Sequence, residues 1–299
     1  MIWQTARFVV DLSQPRVMGI VNATPDSFSG GASHQAAKNS LSAVLAHCEK
    51  LVRDGADLLD IGGESTRPGA LPVPLEQELA RVLPVVRHAV TLGVPVSVDT
   101  YKPEVMRAVL DLGADIINDI WALRQPGALQ VVAAHPSCGV CLMHMHGEPQ
   151  TMQTKPMQGD VVAQVLSFLK GAGRSLQSLG VKQSRIVLDP GVGFGKTVEQ
   201  NFSLLARQRE FLAAGYPLLV GWSRKSSLAA VCDDAATVLP DGRMVHSVAA
   251  ALIAIERGAH IVRVHDVRET AQALKVWKAA TLPAKSSGDG LLQCTTNGN

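Results

Sequence analysis

Residues 185–196 have the sequence RIVLDPGVGFGK. The apolar run from Ile186 to Asp189 indicates a buried strand that ends in a carboxylate, and the proline and glycines after it predict a tight loop. Seven further runs follow the same pattern and begin near residues 17, 56, 94, 115, 139, 217 and 259. The rest of the chain is therefore expected to connect eight strands.

Helical patterns separate most of these runs. Apolar residues recur at helical spacing, often with a glycine just after the last turn, over residues 38–53, 76–91, 101–112, 160–179, 200–213 and 246–257. Strands and helices that alternate eight times predict an α/β fold, a single (β/α)₈ TIM barrel over residues 1–280. A doubly wound open sheet is the alternative. The polar stretch 281–299 is expected to be a disordered tail.

Polar residues stand at or just after the end of nearly every run. They are Asn22, Asp60, Asp99, Asn118, His144, Asp189, Lys225, Arg263 and His265. In a barrel these positions meet at the C-terminal face, where barrel enzymes build their active sites. The pattern thus predicts a site formed by the βα loops.

Composition narrows the class of protein. The chain has 299 residues, 46% of them apolar and 18% charged, which is ample for a large core. Its net charge of +2 and lack of basic clusters argue against nucleic-acid binding, and apolar stretches under ten residues argue against a membrane span. Five irregularly spaced cysteines and the lack of a leader-like N-terminus predict a cytoplasmic protein.

Three local motifs have competing interpretations. The segment GVGFGKT is not a phosphate-binding P-loop, because Pro190 stands where that pattern needs glycine. The pair His144 and His146 suits either two metal ligands on one strand or a loop entry without metal. Cys138 and Cys141 are spaced like a redox motif but are better explained as residues that flank a buried strand.

Two loops are long and rich in small residues. Residues 22–34 follow the first strand and residues 62–70 follow the second. Their composition predicts mobile lids over a site, with plain surface loops as the alternative. Arg263 and His265, two positions apart on the last strand, form a cationic pair where many barrels hold a phosphate, with a structural salt bridge as the alternative.

Eight segments of the chain closely resemble the dihydropteroate synthase family, which belongs to the pterin-binding enzymes. In order they are NATPDSFSGG, DIGGESTRPGA, VSVDTYKPEV, INDI, LMHMHGEPQTMQ, LDPGVGFGK, GWSRKS and GAHIVRVHDVRET. The resemblance covers residues 15 to about 275, and its loop motifs are highly specific.

The resemblance implies an enzyme of folate biosynthesis. It would condense 6-hydroxymethyl-7,8-dihydropterin pyrophosphate with p-aminobenzoate, with Mg²⁺, giving dihydropteroate and pyrophosphate. It also implies a homodimer and a sulfonamide target. The residues matched to the pterin pocket are Asp99, Asn118, Met143, Asp189, Gly221 and Lys225.

The resemblance assigns the remaining site residues as well. The pyrophosphate site would use Asn22, Thr66, Arg67, Arg263 and His265, with Asn22 also near the metal. The p-aminobenzoate site would use Phe28, Thr66, Pro68, Phe194, Lys225 and Ser226. The residues expected to act in catalysis are Asp99, Lys225, Arg263 and His265.

The chain departs from the family pattern at Ala23, Gly30, Trp222 and His246, none of which has an assigned role. Three other functions stay open at this stage. They are a corrinoid-linked methyltransferase on the same barrel, a paralogue that only binds pterin, and a metallohydrolase.

Overall fold

The structure is a computed structural model that describes residues 1–24, 34–66, 69–148, 150–152, 154–231 and 239–281. Residues 34–39 and 241 are described by their backbone alone. The predicted tail 281–299 lies, from residue 282 onward, outside the described residues, as do residues 25–33 and 67–68 of the two predicted lids.

Within the described residues, eight parallel strands form the predicted barrel. They are β3 (Arg16–Asn22), β4 (Leu58–Gly62), β5 (Val96–Asp99), β6 (Ile116–Asp119), β7 (Gly139–Met143), β8 (Ile186–Asp189), β9 (Leu219–Val220) and β10 (Ile261–Val264). Strand β3 pairs with both β4 and β10, so the two ends of the chain meet in one sheet. A parallel bridge between Leu188 in β8 and Leu218, just before β9, closes the ring.

Helices follow most of these strands. In the described part of the chain they are α1 (His34–Asp54), α2 (Leu75–Ala89), α3 (Pro103–Asp111), α4 (Ala128–Ala134), α5 (Val161–Ser178), α6 (Val198–Ala206), α7 (Ser226–Ala229), α8 (Met244–Glu256) and α9 (Val267–Thr281). Thr197 and Gln200 form a capping box at the start of α6. No helix among the described residues is both long and apolar enough to cross a membrane.

The predicted helix over residues 200–213 is divided. Helix α6 ends at Ala206, and a separate 3₁₀ helix covers Gln208–Ala214. At the junction the Arg207 guanidinium binds the Glu210 carboxylate with two hydrogen bonds of 2.7 and 2.8 Å. Helix α4 was not predicted, because its seven residues are too short for a clear period.

An N-terminal hairpin, also not predicted, closes the bottom of the barrel. Strands β1 (Ile2–Gln4) and β2 (Val9–Asp11) pair antiparallel. Trp3 is fully buried, and its indole N–H donates to the Arg185 carbonyl at 2.9 Å. Trp3 shares a cluster with one inward residue from each of seven barrel strands, namely Met18, Leu58, Ile116, Cys141, Val187, Leu219 and Ile261. This apolar layer forms the floor below the site.

Candidate active site

The site lies directly above the apolar floor. Side chains alternate along a strand, so the residue two positions after each floor residue also points into the barrel. These positions, or their equivalent on β5, hold Ile20, Asp60, Asp99, Asn118, Met143, Asp189, Gly221 and Arg263. Six of the eight are residues predicted for the pterin pocket or for catalysis. Of the other two, Ile20 is apolar, and Asp60 was identified at a strand end but received no role.

Asp60 lies at the centre of the polar network. It is fully buried, and its Oδ2 accepts hydrogen bonds from Arg263 Nε at 2.5 Å and from Asn118 Nδ2 at 3.1 Å. Its other oxygen, Oδ1, is buried and has no hydrogen-bond partner among the described residues. The carboxylate therefore orients two predicted site residues, Arg263 and Asn118, at the same time. The sequence signal for this role was the position of Asp60 at an inward-facing place on its strand.

Arg263 bridges two carboxylates. Besides Asp60, it binds Asp99 from Nη2 to Oδ2 at 2.9 Å. Burial raises the pKa of Asp99 well above its usual value, with Arg263 opposing that shift. Burial alone would lower the pKa of Arg263, but the Asp60 and Asp99 carboxylates outweigh it and raise the pKa. The arrangement holds a cation and two acids at the barrel mouth.

Asp189 ends β8 and lies close enough to Arg263 and Lys225 for their charges to interact. It is 6% exposed, and its Oδ1 accepts the Gly191 N–H at 2.8 Å. Burial raises the pKa of Asp189 to about 6, although this hydrogen bond and the nearby cations, Lys225 and Arg263 among them, lower it. At neutral pH it is an ionised acceptor suited to an N–H edge of a ligand.

Lys225 and Phe194 meet at one side of the mouth. The Lys225 Nζ atom lies 4.2 Å from the centre of the Phe194 ring, a cation–π contact. Phe194 is 8% exposed and belongs to a small cluster with Met143. The two residues predicted to contact p-aminobenzoate and pterin are thus neighbours. Ser226, also predicted for p-aminobenzoate, is exposed at the first residue of α7.

His265 is held by a residue that the sequence did not single out. Its Nδ1 lies 2.9 Å from Ser223 Oγ, which also accepts the His265 backbone N–H at 3.1 Å. The next residue, Arg224, has a positive φ of 60° and binds Asp266 at 2.7 Å. The turn after β9 is therefore tied to the end of β10.

The remaining predicted residues are divided between described and undescribed parts. Asn22 ends β3, and Thr66 lies in the loop after β4; both are half-buried. Phe28, Arg67 and Pro68 lie outside the described residues. The described part of the second lid has an anchor, because Glu64 accepts a hydrogen bond from the Tyr101 hydroxyl at 2.8 Å and pairs with Lys102.

The metal interpretation of the histidine pair gains no support. His144 is buried with its Nδ1 at 3.0 Å from Lys196 Nζ, and His146 is exposed. The described residues contain no group of three His, Cys, Asp or Glu side chains that could hold a metal. Cys138 and Cys141 are both buried free thiols, and Cys141 lies in the barrel floor. This agrees with the prediction that they flank a buried strand.

Two departures from the family pattern are packed in the core. Trp222 is 2% exposed and its ring lies 5.3 Å from that of Phe202, but its indole N–H has no partner among the described residues. Ala23 is 8% exposed. His246 is half-buried on α8, and Gly30 lies outside the described residues.

Comparisons with known proteins agree with this geometry. A family model described as pterin binding enzyme matches residues 18–265. The chain belongs to the pterin-binding enzyme family. Within the family it is similar to the dihydropteroate synthase of Neisseria meningitidis serogroup B, with 48% identity over 282 residues that cover 93% of this chain and 97% of that protein.

Two solved pterin-binding enzymes are similar along nearly the whole chain. The Xanthomonas albilineans dihydropteroate synthase with 4-aminobenzoic acid has a TM-score of 0.86 and 47% identity, covering 95% of this chain and 100% of that one. The Burkholderia cenocepacia dihydropteroate synthase complexed with 7,8-dihydropteroate has a TM-score of 0.82 and 50% identity, covering 93% and 96%. These similarities confirm the predicted fold, family and transferase class, and they bear out the predicted dihydropteroate synthase function.

Proposed function

We propose that this chain joins 6-hydroxymethyl-7,8-dihydropterin pyrophosphate to p-aminobenzoate, releasing pyrophosphate and forming 7,8-dihydropteroate. The observation that carries the proposal is the ring of inward-facing polar residues above the apolar floor. It brings carboxyl groups, an amide and a guanidinium into hydrogen-bond contact at the C-terminal face of the barrel.

Recognition of the pterin rests on Asp189 and Asn118. The pterin ring presents an edge of alternating N–H donors and acceptors, which a carboxylate and an amide can match. The hydrogen bond from the Gly191 N–H orients the Asp189 carboxylate, and the hydrogen bond to Asp60 orients the Asn118 amide. A ligand lacking one of these groups would leave a buried partner unpaired, at a cost of about 1–3 kcal/mol.

Departure of pyrophosphate needs positive charge at the mouth. In the reaction the bond between the pterin methylene carbon and the pyrophosphate oxygen breaks, and the electron pair leaves with that oxygen. We assign His265, Arg263 and Arg67 to stabilising the leaving group, with Asn22 and Thr66 as hydrogen-bonding partners. Asp99, which accepts a hydrogen bond from Arg263 Nη2, would stabilise the positive charge that develops on the pterin methylene.

The attacking group is the aromatic amine of p-aminobenzoate. It is neutral at pH 7, so it needs no strong base before it attacks, and it loses a proton after the carbon–nitrogen bond forms. We assign its ring to Phe194, Pro68 and Phe28, and its carboxylate to Lys225 and Ser226. The cation–π contact of Lys225 supports this, because it holds the ammonium beside an aromatic surface.

The donor set fits Mg²⁺ only as an ion shared with substrate. Mg²⁺ prefers oxygen ligands and commonly binds through few protein groups together with phosphate oxygens and water. Asn22, at the end of β3, can offer its amide oxygen at the mouth. When bound there with pyrophosphate, the ion would neutralise charge on the leaving group. Magnesium dependence is thus part of the proposal.

A direct assay tests the function. Purified chain is incubated with the pterin pyrophosphate and Mg²⁺, with and without p-aminobenzoate, and both pyrophosphate and dihydropteroate are measured. We expect both products to form. Their formation should stop when Mg²⁺ is chelated, and a sulfonamide should inhibit it in competition with p-aminobenzoate. Pterin binding without pyrophosphate release would instead indicate the binding paralogue, and a methyl-transfer activity would indicate the corrinoid-linked alternative.

We also propose that the chain acts as a homodimer. Helix α8 supports this, since three of its exposed residues are apolar: Val245 is 68% exposed, Ile253 is 42% exposed, and Ala249 is exposed as well. Such a face is typical of an interaction surface. Sedimentation analysis should give a dimer that Val245→Glu with Ile253→Glu converts to a folded monomer. A monomeric wild type would contradict this proposal.

We further propose a cytoplasmic location from the family, which cell fractionation would test.

A further inference from the structure

Lys196 is a deeply buried cation above the barrel floor. It follows the glycine loop 190–195, and its side chain is 2% exposed. Its Nζ lies 2.8 Å from the Gly191 carbonyl, 3.1 Å from the Phe194 carbonyl and 3.0 Å from His144 Nδ1. An ammonium group has three N–H donors, and these three acceptors can take all of them.

His144 is suited to accept one of these hydrogen bonds. Its imidazole is 6% exposed and packs edge-on against the Phe168 ring at 5.0 Å. Burial, followed by the cations Lys196 and Arg124, lowers the pKa of His144 to about 2. The ring is therefore neutral, and with Nδ1 as acceptor its proton lies on Nε2.

The loop that Lys196 binds is pressed against the end of β7. Gly191 has a φ of 69°, and a Cβ there would lie 1.9 Å from the His144 carbonyl oxygen. Gly195 has a φ of 71°, and a Cβ there would lie 2.3 Å from the His146 carbonyl oxygen. Glycine permits this close approach. Backbone hydrogen bonds from the His144 N–H to the Asp189 carbonyl and from the His146 N–H to the Phe194 carbonyl join the two segments, and the Lys196 ammonium adds contacts to both of them.

This loop carries two groups of the active site. The Gly191 N–H orients the Asp189 carboxylate, and the Phe194 ring lies under the Lys225 ammonium. The carbonyls of these same two residues, Gly191 and Phe194, are the ones that Lys196 binds. A shift of this loop would therefore move the acceptor for the pterin and the platform for p-aminobenzoate together.

We propose that Lys196 is a positioning residue for the condensation: its buried ammonium fixes the glycine loop and so keeps Asp189 and Phe194 in a fixed position relative to each other. The inference rests on the proposed function and adds a residue to it. Lys196 does not contact substrate, because its Nζ is enclosed by the loop carbonyls and His144. Burial lowers the pKa of Lys196 to about 7, with Asp189 raising it and Lys225 lowering it.

The test compares Lys196→Met with Lys182→Met. Lys182 is exposed and precedes a 3₁₀ helix before β8, away from the loop. For each protein we would measure the melting temperature, the Kd for a pterin without pyrophosphate, the KM for p-aminobenzoate and kcat, all per folded molecule. Displacement of reacting groups by about 1 Å can cost about 100-fold in rate.

For Lys196→Met we expect weaker pterin binding, a higher KM for p-aminobenzoate and a kcat/KM lower by about 10- to 100-fold. Lys182→Met should match the wild type. If Lys196→Met melts earlier but keeps wild-type Kd, KM and kcat, Lys196 only stabilises the fold and the proposal is overturned. Lys196→Gln, which keeps an amide donor, should give an intermediate loss and serves if the methionine variant does not fold.

Pterin affinity separates this proposal from the proposed function. If the wild type binds pterin but forms no dihydropteroate, the proposed function fails, while the affinity of the two variants still tests the role of Lys196. Unchanged pterin affinity in a folded Lys196→Met would overturn the positioning role whatever the wild type catalyses.

Discussion

Arg263 donates from Nε to Asp60 Oδ2 at 2.5 Å, which joins the last strand of the barrel to the second. These residues are 203 positions apart in the chain. Because Asp60 also accepts from Asn118, one carboxylate sets the orientation of a cation and of a pterin-binding amide. A role for Asp60 in both stability and binding follows from this contact.

Asp60→Asn tests that role. The variant keeps the shape but loses the charge opposite Arg263, which retains Asp99 alone. Removing one partner of a buried ion pair costs about 3–5 kcal/mol, and we expect about 3 kcal/mol of unfolding free energy together with weaker pterin binding. Urea denaturation and calorimetry measure the two effects. The control, Asp54→Asn, breaks a surface pair with Lys50 and should change neither; equal behaviour of both variants would contradict the role.

Asp189→Asn should raise stability while it abolishes pterin binding. The pKa of Asp189 is about 6 in the folded chain, above the usual value of about 3.9 for an aspartate. Between about pH 4 and pH 6 the folded chain therefore binds a proton that the unfolded chain has lost, so this residue lowers stability as pH rises. Asparagine lacks this cost, so the variant should melt higher than the wild type at pH 8 but not at pH 4.

Asp160→Asn is the matched control for that measurement. Asp160 is exposed at the N-cap of α5, and its hydrogen bond with Arg207 lowers its pKa, so its contribution to stability is lost as pH falls. The control should show no gain in melting temperature at pH 8. A lower melting temperature for Asp189→Asn than for wild type at pH 8 would show that burying the ionised carboxylate does not destabilise the folded chain.

Phe194→Leu should affect p-aminobenzoate more than pterin. The substitution removes the ring under Lys225 but keeps an apolar side chain, and cation–π contacts are worth about 0.5–2 kcal/mol. We expect the KM for p-aminobenzoate to rise several-fold with a smaller change in pterin affinity. Phe211→Leu, in the core on a 3₁₀ helix, should lower stability and leave the KM unchanged. A KM effect of the same size in both variants would exclude a local role for Phe194.

Ser223→Ala should slow pyrophosphate release. The Ser223 hydroxyl is paired with His265 Nδ1 at 2.9 Å, and its loss leaves the imidazole without that partner. Loss of a buried hydrogen bond costs about 1–3 kcal/mol, which predicts a rate roughly tenfold lower or more. Release assays under saturating substrate measure it, with Ser203→Ala as control because that exposed hydroxyl donates to the Glu199 carbonyl of its own helix. A normal rate in Ser223→Ala would remove His265 orientation from the mechanism.

Barrel and site were predictable to different degrees. Alternating strand and helix patterns predicted the ring of eight strands, and polar residues at strand ends predicted the face that carries the site. The N-terminal hairpin was missed, because three-residue strands give almost no period and their pairing is set by contact with the barrel floor. Helix α4 was missed for the same reason of length.

The sequence by itself determined which residues could take part: the period of two along each strand places Asp60, Asn118, Asp189 and Arg263 on inward positions, whatever their partners. Only the tertiary structure decided the partners. Asp60 became the shared acceptor of Arg263 and Asn118, and Lys196 became the clamp of the glycine loop, because closing the barrel brings distant strand ends within hydrogen-bond range. Spacing along one strand carries no information about that distance, since it depends on the register between strands.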